Sequence, residues 1–165
     1  MAGMDSAKLS QRKKQPGHDR SFIQSETQFV NALKAVLPDS YDVVDKPNTL
    51  RKLFGKYGIV PEASIRNKTT GRIMYFEVKK QGPGGNADER ACRHHTVQFY
   101  RTLAKATGMP YHAYATIFCE SLATKPVYVE KYPFVIEEGH YFCWVDYDLK
   151  DLANYLRRLR EKYLE

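Results

Sequence analysis

The sequence predicts an α/β (α+β) domain in which a central β-sheet is flanked by helices. Three observations carry that expectation. Apolar residues recur at spacings of three and four near both ends of the chain. Short runs rich in branched and aromatic residues, bounded by Gly, Pro and Asn, fill the middle. No internal repeat divides the 165 residues, a length ordinary for one domain and sufficient for a sizeable core. Hydrophobic content of 42% with 13% aromatics argues against a disordered chain, and no apolar run reaches bilayer-spanning length, so no membrane partner is expected.

Residues 1–20 are polar and basic without periodicity, and are read as a flexible N-terminal tail that leaves residues 21–165 as a single domain. They also lack the apolar stretch of a signal peptide, so a cytoplasmic location is expected. Ser25 is placed to cap a helix with Phe29, Val30 and Leu33 on one face and Pro38 beyond its end. Residues 41–44 are a short strand. Asn48 is expected to cap a basic amphipathic helix, TLRKLFGKYG, stopped by Gly58. Residues 59–66 and 72–79 form a hairpin across NKTTG, followed by a glycine-rich loop over residues 81–85. Residues 89–106 read as one helix, with Cys92, Phe99 and Leu103 inward and Arg90, His94 and Arg101 on an outward basic stripe. Strands are expected over residues 112–120, 132–136 and 141–145, with Trp144 in a second sheet region. A helix over residues 148–163 closes the chain, with Leu149, Leu152, Leu156 and Leu159 on one face.

Charge is spread unevenly. The net charge is +7, but residues 46–108 hold 13 Lys or Arg against 4 Asp or Glu, while the rest of the chain nets to -2. A surplus concentrated around the hairpin attracts a polyanion and holds it through phosphate contacts. The three cysteines, Cys92, Cys119 and Cys143, are an odd number in no metal-like spacing and read as reduced thiols. His94, His95 and His112 raise a metal site of another class, but the adjacent pair splays apart, and all three are read as surface or packing residues.

On the second hairpin strand Glu77 and Lys79 point the same way, with Val78 opposite. Antiparallel pairing can bring Glu62 beside Glu77. Two carboxylates at the end of a hairpin make a hard oxygen site suited to magnesium, and a lysine there can orient water or neutralise phosphate. Phosphodiester hydrolysis builds negative charge that a divalent cation stabilises.

Pro61–Glu62 and Glu77–Val78–Lys79 together resemble the PD-(D/E)xK nuclease core. GNADERA, residues 85–91, is similar to a segment of the EcoRI and MunI restriction endonucleases, and KPNTLRKLF, FEVKKQ, YRTL, IFCE and REKYLE have counterparts in the MunI branch. The resemblance runs from about Glu26 onward. It implies a restriction-endonuclease-like core with a mixed sheet, and a homodimeric, bacterial or phage-encoded enzyme that cuts double-stranded DNA at a palindrome with an AATT-like core. It also implies Mg2+ as cofactor, with Mn2+ as substitute. Glu62, Glu77 and Lys79 would be catalytic. Glu62, Glu77 and the Val78 backbone carbonyl would hold the metal, with Glu26 a further candidate. Lys80, Gln81, Gly85, Asn86, Ala87, Glu89, Arg90, Arg93 and His94 would contact DNA, and a companion DNA methyltransferase is a candidate partner. Three departures stand out: Glu62 occupies a position usually held by Asp, the segment between Lys79 and Asn86 is short, and Gly84 stands where the MunI branch has an arginine. A structure-selective nuclease and a DNA-binding relative without catalysis therefore remain alternatives.

Overall fold

The computed structural model describes residues 19–81 and 85–165, with side chains from Glu26 onward. The expected basic tail lies, over residues 1–18, outside the described residues. Among the described residues, five strands form one sheet in the order β1 (Tyr41–Asp45), β2 (Ala63–Asn67), β3 (Ile73–Lys79), β4 (Tyr114–Cys119) and β5 (Tyr141–Trp144). The first three pair antiparallel, whereas β3–β4 and β4–β5 pair parallel, so the sheet is mixed as the resemblance implies. Trp144 belongs to this same sheet, not to a second one.

Helices cover both faces. On one, α1 (Asp19–Val36) lays Phe29 against Phe76 and Trp144, with edge-on ring contacts at 5.4 and 5.9 Å. Helix α7 (Leu149–Tyr163) adds Tyr155, stacked on Phe142 at 4.6 Å. On the other face lie α2 (Ala87–Cys92) and α3 (Val97–Thr107). Here Phe99 meets Tyr114 edge-on at 5.3 Å, and a second small core gathers Ala87, Ala91, Phe118, Leu122, Tyr132 and Ile136. Both faces of β3 are therefore covered, which is why its five central residues are all buried.

Four expectations are corrected. Helix α1 already runs through Asp19, the first described residue, six residues before Ser25, so Ser25 is interior to the helix and not its cap. Residues 49–54 form successive turns instead of a helix, with Arg51 N–H donating to Asn48 O and Leu53 N–H to Leu50 O. The Leu50 carbonyl also accepts from Ile59 at 3.0 Å, and a Cβ on Gly58 would lie 1.9 Å from that carbonyl oxygen. Gly58 thus lets two backbone segments touch, and the close return of residues 58–59 takes the place of a helical ladder. The helix read over residues 89–106 is broken. A 3-10 turn, Arg93–His95, follows α2, and extended Thr96 restarts the helix by accepting from Phe99 N–H at 3.1 Å. Residues 132–136, read as a strand, hold a one-turn helix, α6 (Tyr132–Val135), preceded by α4 (Ser121–Thr124) and α5 (Pro126–Val129). Tyr132 is aromatic but fills the second core and stacks on Phe118 at 3.9 Å, so packing overrides its strand propensity. At the C-terminal end the expected helix forms, and Asp148, the first residue of the expected span, is its N-cap, accepting from Asp151 N–H at 2.9 Å. Among the described residues no helix is long and apolar enough to cross a membrane.

Candidate active site

The hairpin register pairs Ala63 with Phe76, which puts Glu62 just before β2 and next to the end of β3. Glu62 is held from both sides of its backbone: its N–H donates to Phe76 O at 3.0 Å and its carbonyl accepts from Lys46 N–H at 2.9 Å. Its carboxylate then accepts from the Val78 N–H at 3.1 Å. Glu62 therefore bonds to the residue that separates Glu77 from Lys79, and the two acids and the lysine converge as the spacing predicts.

Glu77 is 9% exposed. One of its oxygens accepts from Lys79 Nζ at 2.6 Å and the other from Tyr114 O–H at 2.5 Å. Sequence reasoning missed Tyr114, because only the parallel pairing of β3 with β4 brings a residue 37 positions away under Glu77. Burial and the neighbouring Glu77 push the Glu62 carboxyl up to about 8. Burial, and then Glu77, also push the Tyr114 phenol well above its ordinary value, so it stays a donor. Glu26 adds to the rise at Glu62 and lies 3.9 Å from Lys46 Nζ, so the first helix does bring a third acid to this corner.

This donor set suits a hard divalent cation. Glu62 resists ionising beside Glu77 unless positive charge arrives, and both are oxygen ligands of the kind magnesium prefers. The Val78 carbonyl stays a candidate third ligand.

The expected DNA-reading residues divide into two groups. Gly85, Asn86, Glu89, Arg90 and Arg93 are exposed. Asn86 occupies the N-cap position of α2, yet its side chain makes no capping hydrogen bond, so its amide is not spent on the helix. The remaining residues are tied to the protein. Ala87 is 4% exposed within the second core; its methyl is buried by packing and does not face outward as a DNA contact would require. Gln81 is buried, accepts from Ala87 N–H at 2.6 Å and donates to Tyr128 O–H at 2.7 Å. Its amide anchors the start of α2 rather than facing outward. A Cβ on Gly85 would come within 2.7 Å of the Gln81 side chain, so glycine permits that approach. Lys80 points away from Lys79 and pairs with Glu120 at 2.8 Å. Asp88, buried, pairs with Lys131. His94 is not on an outward stripe: its ring packs 5.1 Å from both Phe99 and Tyr114, and burial lowers its pKa. The 3-10 turn rotates it inward from where an unbroken helix would put it.

A family model described as type II restriction enzyme MunI matches residues 52–165. Among solved structures, MunI restriction endonuclease in complex with cognate DNA resembles this chain with a TM-score of 0.64 and 19% identity, over 84% of this chain and 96% of that one. No curated protein matches. The family match contains the hairpin acids, Lys79 and the GNADERA segment, and the chain belongs to the MunI family of type II restriction enzymes.

Proposed function

We propose that this chain is a magnesium-dependent, site-specific endonuclease that hydrolyses double-stranded DNA as a homodimer, at a palindrome with an AATT-like core. The observation that carries the reading is the bond from Val78 N–H to Glu62, which sets both acids and Lys79 at one hairpin end. Glu62, Glu77 and the Val78 carbonyl would hold the cation, with Glu26 close by; Mn2+ would substitute. When bound, the cation neutralises the charge that builds on the phosphate and makes water a better nucleophile at neutral pH.

The remaining steps belong to the protein. Lys79 Nζ, already fixed on Glu77, orients the attacking water and neutralises a phosphate oxygen. Tyr114 holds the second Glu77 oxygen and so fixes the carboxylate plane. Gln81 ties the strand that bears Lys79 to the first turn of α2, so the reading residues sit at a set distance from the scissile phosphate. Asn86 has an amide free for adenine edges, and Arg90 a guanidinium free for bases or for bracing Glu89. Arg93 is placed for a phosphate. A single site cuts one strand, and a twofold dimer matches a palindrome. A cognate methyltransferase would accompany such an enzyme in its host.

Digestion of a defined plasmid in Mg2+ or EDTA, with sequencing of the ends, tests this. Magnesium-dependent ends at one palindrome are expected. Scattered or branch-point ends would point to a structure-selective nuclease, and no cutting to a binding protein that has lost catalysis.

A further inference from the structure

The chain has five histidines, and three of them form a file behind the nuclease site. His95 and His112 lie with ring centroids 5.2 Å apart, and His112 and His140 stack at 5.0 Å. His112 and His140 are 4% and 1% exposed. Among the described residues, the Nε2 of His112 and both ring nitrogens of His140 are buried with no hydrogen-bond partner. Buried polar atoms nearly always have one; the His140 ring does lie against the backbone of Glu138 and His112, so the His112 Nε2 is the clearest orphan of the three. The His112 ring also meets the backbone of His94. A hydrogen bond of that kind on Nδ1 leaves Nε2 as a lone pair, the arrangement found in histidines that bind metals.

The third component is Glu137. Residues 137–140 form a turn closed by His140 N–H donating to Glu137 O at 3.0 Å, with Gly139 at φ +85° and Tyr155 O–H held on the Gly139 carbonyl at 2.8 Å. The turn is docked on the sheet through Thr116 N–H, which donates to His140 O at 3.0 Å. It places Glu137 Oε2 3.9 Å from His140 Nδ1. One ligand atom from each of His112, Glu137 and His140 lies within 4.8 Å of the others. Ligand atoms around a tetrahedral zinc, with bonds of about 2.0–2.1 Å, stand roughly 3.4 Å apart, so a modest closure of the three side chains, with the exposed Glu137 the freest to move, completes the set.

We propose that His112, His140 and Glu137 are a second metal site, separate from the nuclease centre, for Zn2+ or a similar nitrogen-preferring divalent cation. Two imidazoles and one carboxylate leave a fourth position for water. The ligands favour zinc over magnesium, because magnesium prefers oxygen donors and the nuclease acids supply only oxygen. Bound metal would pin the turn before β5 to the segment entering β4, two residues before Tyr114, and so stiffen the strand that braces Glu77.

Metal-free full-length protein titrated with Co2+, followed visibly and then displaced with Zn2+, tests the assignment. One Co2+ per chain is expected, with the intense band of four-coordinate cobalt, bleached by Zn2+, and a Zn2+-dependent rise in Tm. Glu137→Gln, at a side chain 66% exposed and so without consequence for folding, should weaken cobalt binding at least about tenfold. His140→Asn should abolish the band. Glu62→Gln should leave it intact. Absence of the band, an undiminished band in Glu137→Gln, or its loss in Glu62→Gln would overturn the proposal. DNA cleavage is not part of the readout, so this failure would leave the nuclease reading standing.

Discussion

Glu62→Gln in metal-free protein offers the most direct measure of how the nuclease acids are held. Burial and Glu77 push the Glu62 carboxyl up to about 8, against an ordinary value of 4.5. Between those two pH values the folded protein keeps a proton that the unfolded chain has released. Stability from this group is therefore full below about 4.5 and is lost as pH rises through about 8. Each pH unit in that window is worth about 1.4 kcal/mol, which would total on the order of 5 kcal/mol if the site were dry. Glu62 is only half-buried, and solvent screening brings the figure to about 2 kcal/mol. Glutamine keeps an oxygen for the Val78 N–H but carries no charge. In EDTA, Glu62→Gln should match the unsubstituted protein near pH 5 and exceed it by about 2 kcal/mol near pH 9, or ~4–8 °C in Tm for a chain of this size. Adding Mg2+ should reverse the order, because only the carboxylate protein gains from binding. Thermal unfolding from pH 5 to 9, with and without the cation, reads both effects. Parallel pH curves for the two proteins in EDTA would refute the idea that Glu62 and Glu77 are forced together.

Lys79→Ala should retain duplex binding in a gel-shift assay and lose cutting by about a hundredfold or more, since an orienting group and a charge both disappear. Tyr114→Phe frees one Glu77 oxygen in a buried setting and should lower the cutting rate at least several-fold while leaving DNA affinity unchanged in the same gel shift. Gly58→Ala forces a Cβ onto the Leu50 carbonyl oxygen at 1.9 Å; a loss of about 3 kcal/mol or more in denaturant unfolding is expected, without change in the metal dependence of cutting. Asn86→Ala removes an exposed amide with no capping bond, so Tm should hold within about a degree while cognate affinity falls by roughly 1–3 kcal/mol on titration against a labelled duplex.

The sequence by itself determined the elements whose signals are local. A run rich in aromatic and branched residues placed β3 within a residue of its observed bounds, leucines at three and four placed α7, and the order of the hairpin acids, Lys79 and GNADERA pointed to the family before any distance was known. Local signals failed where backbone meets backbone or where packing reassigns a side chain. Gly58 looks like a helix stop and proves to be a contact point; Tyr132 looks like a strand residue and proves to be a core plug; Ala87 sits in a reading motif but faces inward. Only the tertiary structure decided which partners are distant in the chain. Tyr114 reaches Glu77 because β3 and β4 run parallel in one register, and His112 meets His140 because the turn at residues 137–140 docks on Thr116. Spacing along a chain constrains side chains on a shared helix or strand, whereas pairing across a sheet depends on the whole core that holds its strands together.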